Sequence, residues 1–131
     1  MIMLDTCAIV WDALEPNKLS DKAKNAINKA DEFNALIISD ISIWEISMLI
    51  KRNRLSIESS ASHFINLYLQ TRNVSVVQIS PEIAELSVKF DESINKDTAD
   101  RIISATSIIQ NAQLVTADKN LIASEIIETV W

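Results

Sequence analysis

A chain of 131 residues, 48% of them hydrophobic, is sized for one domain, residues 1–131, with a real buried core, and its single cysteine, single histidine and lack of any glycine exclude an internal disulfide, a Cys/His zinc cluster, a phosphate-cradling glycine loop and a dinucleotide fingerprint. Twelve basic against 18 acidic residues give a net charge of -6, which argues against a generic nucleic-acid coat protein but not against an enzyme that holds a phosphodiester through metal ions and a local basic rim. No apolar run approaches a membrane span, and the stretch Met1 to Asp5 has no basic segment before an apolar one, so no membrane partner and a cytoplasmic location are expected.

Met1 to Leu4 is a short apolar run that reads as a buried strand delivering Asp5 at its carboxyl end. Thr6 to Leu14 then forms a short helix ended near Pro16, and Ser20 to Phe33 a lysine-rich surface helix with Ser20 as N-cap. Ala35 to Ser39 is the second buried strand. Asp40 to Asn53 follows as a helix apolar nearly all round, with Glu45 set among Ile41, Met48 and Leu49 on an apolar stripe. A carboxylate there needs a cation, a hydrogen-bond cage or a raised pKa. Lys51, Arg52 and Arg54 close that helix as a basic patch suited to its dipole and to phosphates, and Asn53 stands where glycine would ordinarily end it.

Ile57 to Arg72 is a further amphipathic helix, with His63 at its surface and without a role. Val74 to Ile79 reads as the third strand, and Ser80-Pro81 opens a helix reaching Asp91. Asp97 to Ser107 begins another helix, in which Ile102, Ile103, Ala105, Thr106 and Ile109 offer a core face. Gln113 to Thr116 is the fourth strand, Leu121 to Ala123 a helical turn, and Ile126 to Trp131 a fifth strand. Alternating strands and helices predict an α/β fold with a parallel sheet of four to five strands, helices on both faces and ligands beyond the strands' carboxyl ends.

That edge is where the acids fall. Asp5 ends the first strand, Asp118 lies two residues past the fourth, Asp97 and Asp100 open the helix that feeds it, and Glu45 is within two turns of the second strand's end. Singly, each can be a helix cap or a surface charge; Asp97 with Asp100 three residues on is a capping-box variant. Together they form a self-repelling cluster that calls for divalent cations. With no histidine or cysteine in the set, these are hard ones, Mg²⁺ with Mn²⁺ as substitute. Such a site handles phosphate, so metal-assisted hydrolysis of a phosphodiester is the leading chemistry. Two other readings stay open: a non-catalytic RNA-binding or protein-interaction domain, and phosphoryl transfer through an aspartyl phosphate at Asp5.

Four stretches resemble the PIN-domain nucleases, specifically the VapC-type toxin ribonucleases of toxin-antitoxin pairs: Leu4-Asp5-Thr6 with Trp11 downstream, Ser39-Asp40-Ile41-Ser42-Ile43-Trp44-Glu45-Ile46, Asp97-Thr98-Ala99-Asp100-Arg101-Ile102-Ile103, and Leu114-Val115-Thr116-Ala117-Asp118. The resemblance implies a PIN-like three-layer sandwich, with Asp5, Glu45, Asp100 and Asp118 as the core acids around the metal and Asp97 as an accessory acid. It further implies that Thr6 and Thr116 orient the site through their hydroxyls, and that Arg101 pairs with an acid or meets RNA. An RNA substrate, a cognate antitoxin protein and a homodimer follow from the resemblance. The chain departs from the family in having Thr98 for the usual proline and no histidine just upstream of Asp97.

Overall fold

A computed structural model describes all residues from Met1 to Trp131. Five strands, β1 (Ile2–Leu4), β2 (Leu36–Ser39), β3 (Ser75–Val77), β4 (Gln113–Val115) and β5 (Thr129–Val130), form one sheet in the order β3-β2-β1-β4-β5. All four pairings are parallel. Seven helices connect them: α1 (Thr6–Leu14), α2 (Asp21–Glu32), α3 (Asp40–Lys51), α4 (Ala61–Thr71), α5 (Pro81–Lys89), α6 (Thr98–Ile109) and α7 (Lys119–Ala123), with a 3₁₀ turn at Pro16–Lys18 that the sequence did not suggest. No helix is long and apolar enough to cross a membrane.

The central strands are apolar on both faces because both are covered. Leu4, Leu36, Ile38 and Val115 point to one side, where Ile9, Ile27, Ile46 and Ile65 close a core. Met3, Ile37 and Leu114, one residue out of phase, point to the other, against Ile83, Ile103, Ala105 and Leu121. This is the expected three-layer arrangement, differing in its details at the edges. β3 is shorter than Val74 to Ile79 and β5 than Ile126 to Trp131, since each is an edge strand with one neighbour only. α4 begins at Ala61 rather than Ile57, because the Ser60 hydroxyl accepts from the His63 N–H and sets the helix start there. Ile109, expected in the core, is 44% exposed on the last turn of α6.

The missing glycine is answered in one way throughout. The four residues with positive φ are Asn34, Asn53, Asn73 and Asn111, each two residues past the end of α2, α3, α4 and α6 respectively. In every case the following N–H reaches back five residues to the helix: Ala35 to Ala30 at 2.8 Å, Arg54 to Leu49 at 2.9 Å, Val74 to Leu69 at 3.2 Å and Ala112 to Ser107 at 2.9 Å. These are Schellman caps built on asparagine. Asn111→Ala is expected to lower stability by about 1 kcal/mol, because a Cβ without a polar side chain is unfavourable in the left-handed region, and Asn111→Gly to be tolerated. Urea titration of both variants checks the pair; equal losses would mean that the side chain, not the backbone angle, matters.

Candidate active site

The strand order places a topological switch at β1, which has β2 on one side and β4 on the other, and the crevice beyond such a switch is where open parallel sheets bind ligands. Asp5 and Asp118 follow β1 and β4 directly into this crevice. Each is held by an N-terminus: Asp5 caps α1, accepting from the Ala8 N–H at 2.8 Å, and Asp118 caps α7, accepting from Asn120 and Leu121 N–H at 2.9 and 3.1 Å. Capping is therefore real for both, yet it uses only one carboxylate oxygen of each, Oδ1, and leaves Oδ2 for other partners. The two are linked through Thr116, whose hydroxyl accepts from the Asp118 N–H at 3.1 Å and hydrogen-bonds the Asp5 side chain.

Glu45 arrives from α3, where its half-buried carboxylate accepts a short hydrogen bond from the Thr6 hydroxyl. Thr6 in turn pairs at 3.0 Å with Ser42, a fully buried residue one helical turn before Glu45. Since Thr6 gives its one proton to Glu45, Ser42 is the donor to Thr6. Asp97 caps α6 by accepting from the Asp100 N–H at 3.0 Å, so the threonine at position 98 enters the helix as regularly as proline would. Asp97 is exposed, and its charge acts on both Glu45 and Asp100.

Burial and neighbouring negative charge make three of these acids, Asp5, Glu45 and Asp100, reluctant to ionise. Asp5 is pushed up to about 6, chiefly by desolvation, with the Thr116 and Ala8 hydrogen bonds opposing and the charges of Asp118 and Glu45 adding. Asp100 is pushed up to about 7 by desolvation and then by Asp97, Glu45, Asp118 and Asp5. Glu45 is raised as well, by desolvation and by Asp97, against the Thr6 bond. The Cys7 thiol at the mouth feels the same field and rises to about 11 through desolvation and the four acids Asp5, Glu45, Asp100 and Asp118.

None of the four ion pairs of the protein involves any of these five acids. Of the two roles the resemblance implies for Arg101, the acid pairing is absent: it is paired with no carboxylate, and its guanidinium donates to the carbonyls of Ser87, Asp91 and Asn95 at 3.0, 3.3 and 2.8 Å and to that of Phe90. Lys51, the last residue of α3, and Arg52 and Arg54 just past its end are exposed. At 1.5 Å per residue, Lys51 lies about 9 Å along the helix from Glu45, outside the acid cluster but on the same element.

Two further residues belong to the site. Ser42 sits three residues before Glu45 on α3, within the stretch that resembles the family, and its hydroxyl on the same side of the helix as Glu45 was the available clue. Asn95 lies in the polar link before α6, and its side-chain amide donates to Asp100 at 3.3 Å and to Asp118 at 3.2 Å. Nothing in a link of that composition distinguishes it from its neighbours.

The donor set suits a hard divalent cation. It is all oxygen, carries an excess of like charge, and keeps free carboxylate oxygens on the crevice side. No three His, Cys, Asp or Glu side chains close into a ready-made cage; Asp100 and Asp118 are both within hydrogen-bond reach of one amide. That fits Mg²⁺, which keeps several waters and takes one or two carboxylates rather than a full protein cage.

Comparison with known proteins bears on this edge. Residues 2–125 match the PIN domain family. The chain is 32% identical over 120 residues to Ribonuclease VapC22 of Mycobacterium tuberculosis (strain ATCC 25618 / H37Rv), across 92% of this chain and 88% of that one. In fold it is similar to a VapBC2 structure from Rickettsia felis bound to a DNA fragment from their promoter, with a TM-score of 0.74, 18% identity and coverage of 98% and 97% of the two chains. A toxin-antitoxin complex from Klebsiella pneumoniae gives a TM-score of 0.66 at 21% identity, over 97% and 95%.

Proposed function

The chain belongs to the PIN-domain family, and from that premise we propose that it is a metal-dependent endoribonuclease, the toxin of a VapC-type toxin-antitoxin pair, formed by one nuclease unit over residues 1–131. The observation that carries this reading is the convergence of Asp5, Glu45, Asp100 and Asp118 at the switch-point edge, where the charges of Glu45 and Asp118 raise both Asp5 and Asp100, with no ion pair to any of the four.

In this reading Asp5, Glu45, Asp100 and Asp118 hold Mg²⁺, or Mn²⁺ in its place, with Asp97 as an accessory acid. The cation, when bound, polarises a phosphoryl oxygen and lowers the pKa of a water molecule. The protein's own contribution is placement. Ser42 and Thr6 fix the Glu45 carboxylate, Thr116 ties Asp5 to the turn carrying Asp118, and the helix N-termini behind Asp5 and Asp118 leave both acids aimed outward. Asp5, pushed up to about 6, and Asp100, to about 7, would have to give up any proton they hold for a cation to bind, so binding would release protons. Lys51, Arg52 and Arg54 form an RNA rim on the exposed end of α3.

A cognate antitoxin covers apolar surface and offers Arg or Lys to the acids. Support comes from a cavity of about 290 Å³ between α1 and α4, lined by Leu14, Phe64, Leu67 and Tyr68. Phe33, Trp44, Leu67 and Val88, exposed by 70, 58, 54 and 77%, leave apolar surface for that partner and for a homodimer. The site of action is the cytoplasm.

The test is incubation of purified, antitoxin-free protein with a mixed cellular RNA pool, with Mn²⁺ or with EDTA, beside an Asp100→Asn control. Discrete fragments are expected only with metal and wild-type protein. Folded protein that cleaves nothing and that Mn²⁺ does not stabilise would instead be a non-catalytic binding module.

A further inference from the structure

The Asn95 side chain bridges two acids of the cluster. Its Nδ2 donates to Asp100 Oδ2 at 3.3 Å and to Asp118 Oδ2 at 3.2 Å, and its Oδ1 accepts from Asn120 Nδ2 at 3.2 Å. The orientation of the amide is determined by its surroundings: two carboxylates only accept, so the NH₂ faces them and the oxygen faces the second amide. Asn95 is held there by its main chain. The Arg101 guanidinium binds the Asn95 carbonyl at 2.8 Å and gathers the carbonyls of Ser87, Phe90 and Asp91 around it. Asp100 and Arg101 are consecutive on α6. One helical turn thus supplies an acid of the site and, in the next residue, the clamp for the loop that bridges this acid to Asp118.

A neutral amide whose two N–H dipoles meet two like-charged acceptors stands where a cation would satisfy the same oxygens more strongly. We infer that Asn95 is a positioning residue acting as a placeholder: in the metal-free protein its amide holds Asp100 and Asp118 at their working separation, and an incoming divalent cation competes with it for the same two oxygens and displaces it. The inference rests on the metal-dependent reading above. It also assigns Arg101 a function that neither an ion pair nor an RNA contact supplies, namely keeping the placeholder in register through the loop backbone. The device lets two carboxylates be built close together without a resident cation, at the cost of weaker cation binding, since every ion that binds must break both amide hydrogen bonds.

The experiment has two arms. In the first, Mn²⁺ is titrated calorimetrically into wild-type and Asn95→Ala protein, with melting temperatures recorded in EDTA and in Mn²⁺. Losing the placeholder is expected to lower the melting temperature in EDTA, to enlarge the rise that Mn²⁺ produces, and to tighten the apparent Kd about threefold to tenfold. A Kd that is unchanged or weaker overturns the inference, because a merely structural asparagine destabilises both states alike. In the second arm, which needs no variant, ¹⁵N-labelled wild-type protein is titrated with diamagnetic Mg²⁺. The Asn95 side-chain amide signals are expected to shift with the same midpoint as the backbone signals of Asp100 and Asp118, while those of the exposed Asn66 stay fixed. An Asn95 amide that does not move at a saturating concentration overturns the placeholder and leaves the metal site standing. No response to either ion anywhere in the wild-type protein overturns both readings.

Discussion

Asp5→Asn is expected to reduce RNA cleavage by at least about a hundredfold while making the metal-free protein more stable at pH 8. The loss follows if, as proposed, Asp5 is one of the charged oxygen donors to the cation, worth several kcal/mol in the transition state at about 1.4 kcal/mol per tenfold in rate. The gain in stability follows from the direction of the pKa shift. Asp5 titrates at about 6 in the folded protein against an ordinary 3.8, so the folded state binds its proton more tightly than the unfolded state. That contribution is fully present below pH 4 and is lost as the pH rises through 6, an effect on the order of 3 kcal/mol for a shift of this size. Asp100, pushed up to about 7, adds in the same direction. The metal-free melting temperature of the wild type should therefore fall between about pH 5 and pH 7.5, and Mn²⁺ should remove most of that fall. In Asp5→Asn the fall should be shallower and the Mn²⁺ effect smaller. Thermal melts across this range, with EDTA and with Mn²⁺, decide it; a wild-type melting temperature that climbs from pH 5 to 7.5 in EDTA would contradict the repelling-acid description.

Asp12→Ala is expected to cost about 3 kcal/mol or more of stability without entering the chemistry. Asp12, whose side chain is 4% exposed, receives Arg72 in bidentate fashion, Nε to Oδ2 at 2.9 Å and one terminal nitrogen to Oδ1 at 2.8 Å, together with the Tyr68 hydroxyl at 2.8 Å. Arg72 also reaches Asn28 at 2.9 Å and Asp31 at 3.3 Å, so one guanidinium at the end of α4 ties together α1 and α2. Deleting the carboxylate strands a hydroxyl and a cation in a largely dry place, which is far costlier than never having built the pair. Arg72→Lys should recover only part of the stability, for lack of the planar fork, whereas Asp12→Leu combined with Arg72→Met should recover much of it. Urea unfolding of the three variants, beside cleavage at low temperature, separates the two effects. Lost cleavage in a folded Asp12→Ala protein would show that this cluster reaches the active site.

Much of this was legible in the sequence, and the reason is physical. An apolar run ending in an acid, as at Leu4-Asp5, or a strand followed by Thr116-Ala117-Asp118, announces a strand end by local pattern alone, and a parallel sheet then brings such ends to one edge. Glu45 stood out because its helical neighbours are apolar. Asn53 stood out because a chain without glycine has few other ways to end a helix, and the same logic accounts for Asn34, Asn73 and Asn111. What was not legible depends on pairs without periodic spacing. Asp12 and Arg72 are 60 residues apart, Asn95 and Asp118 are 23 apart, and each looks like an ordinary surface polar residue until the fold brings it to its partner. Arg101 shows the reverse: the family resemblance allowed it a carboxylate partner, and the fold gives it backbone carbonyls instead.

The position of β1 in the middle of the sheet also sets a schedule. Its two neighbours are made at very different times: β2 begins at Leu36, but β4 only at Gln113. At about 5 to 20 residues per second, a ribosome that has added Asp5 needs roughly 6 to 20 seconds more to reach Asp118. Throughout that interval one edge of β1 has no partner and the crevice has only one wall. A nascent chain can fold the β1, β2 and β3 half first, yet it carries no complete acid cluster until the segment with Asp118 has been made. Any activity of the proposed site would thus begin only after Asp118 has been made and β4 has closed the second wall of the crevice.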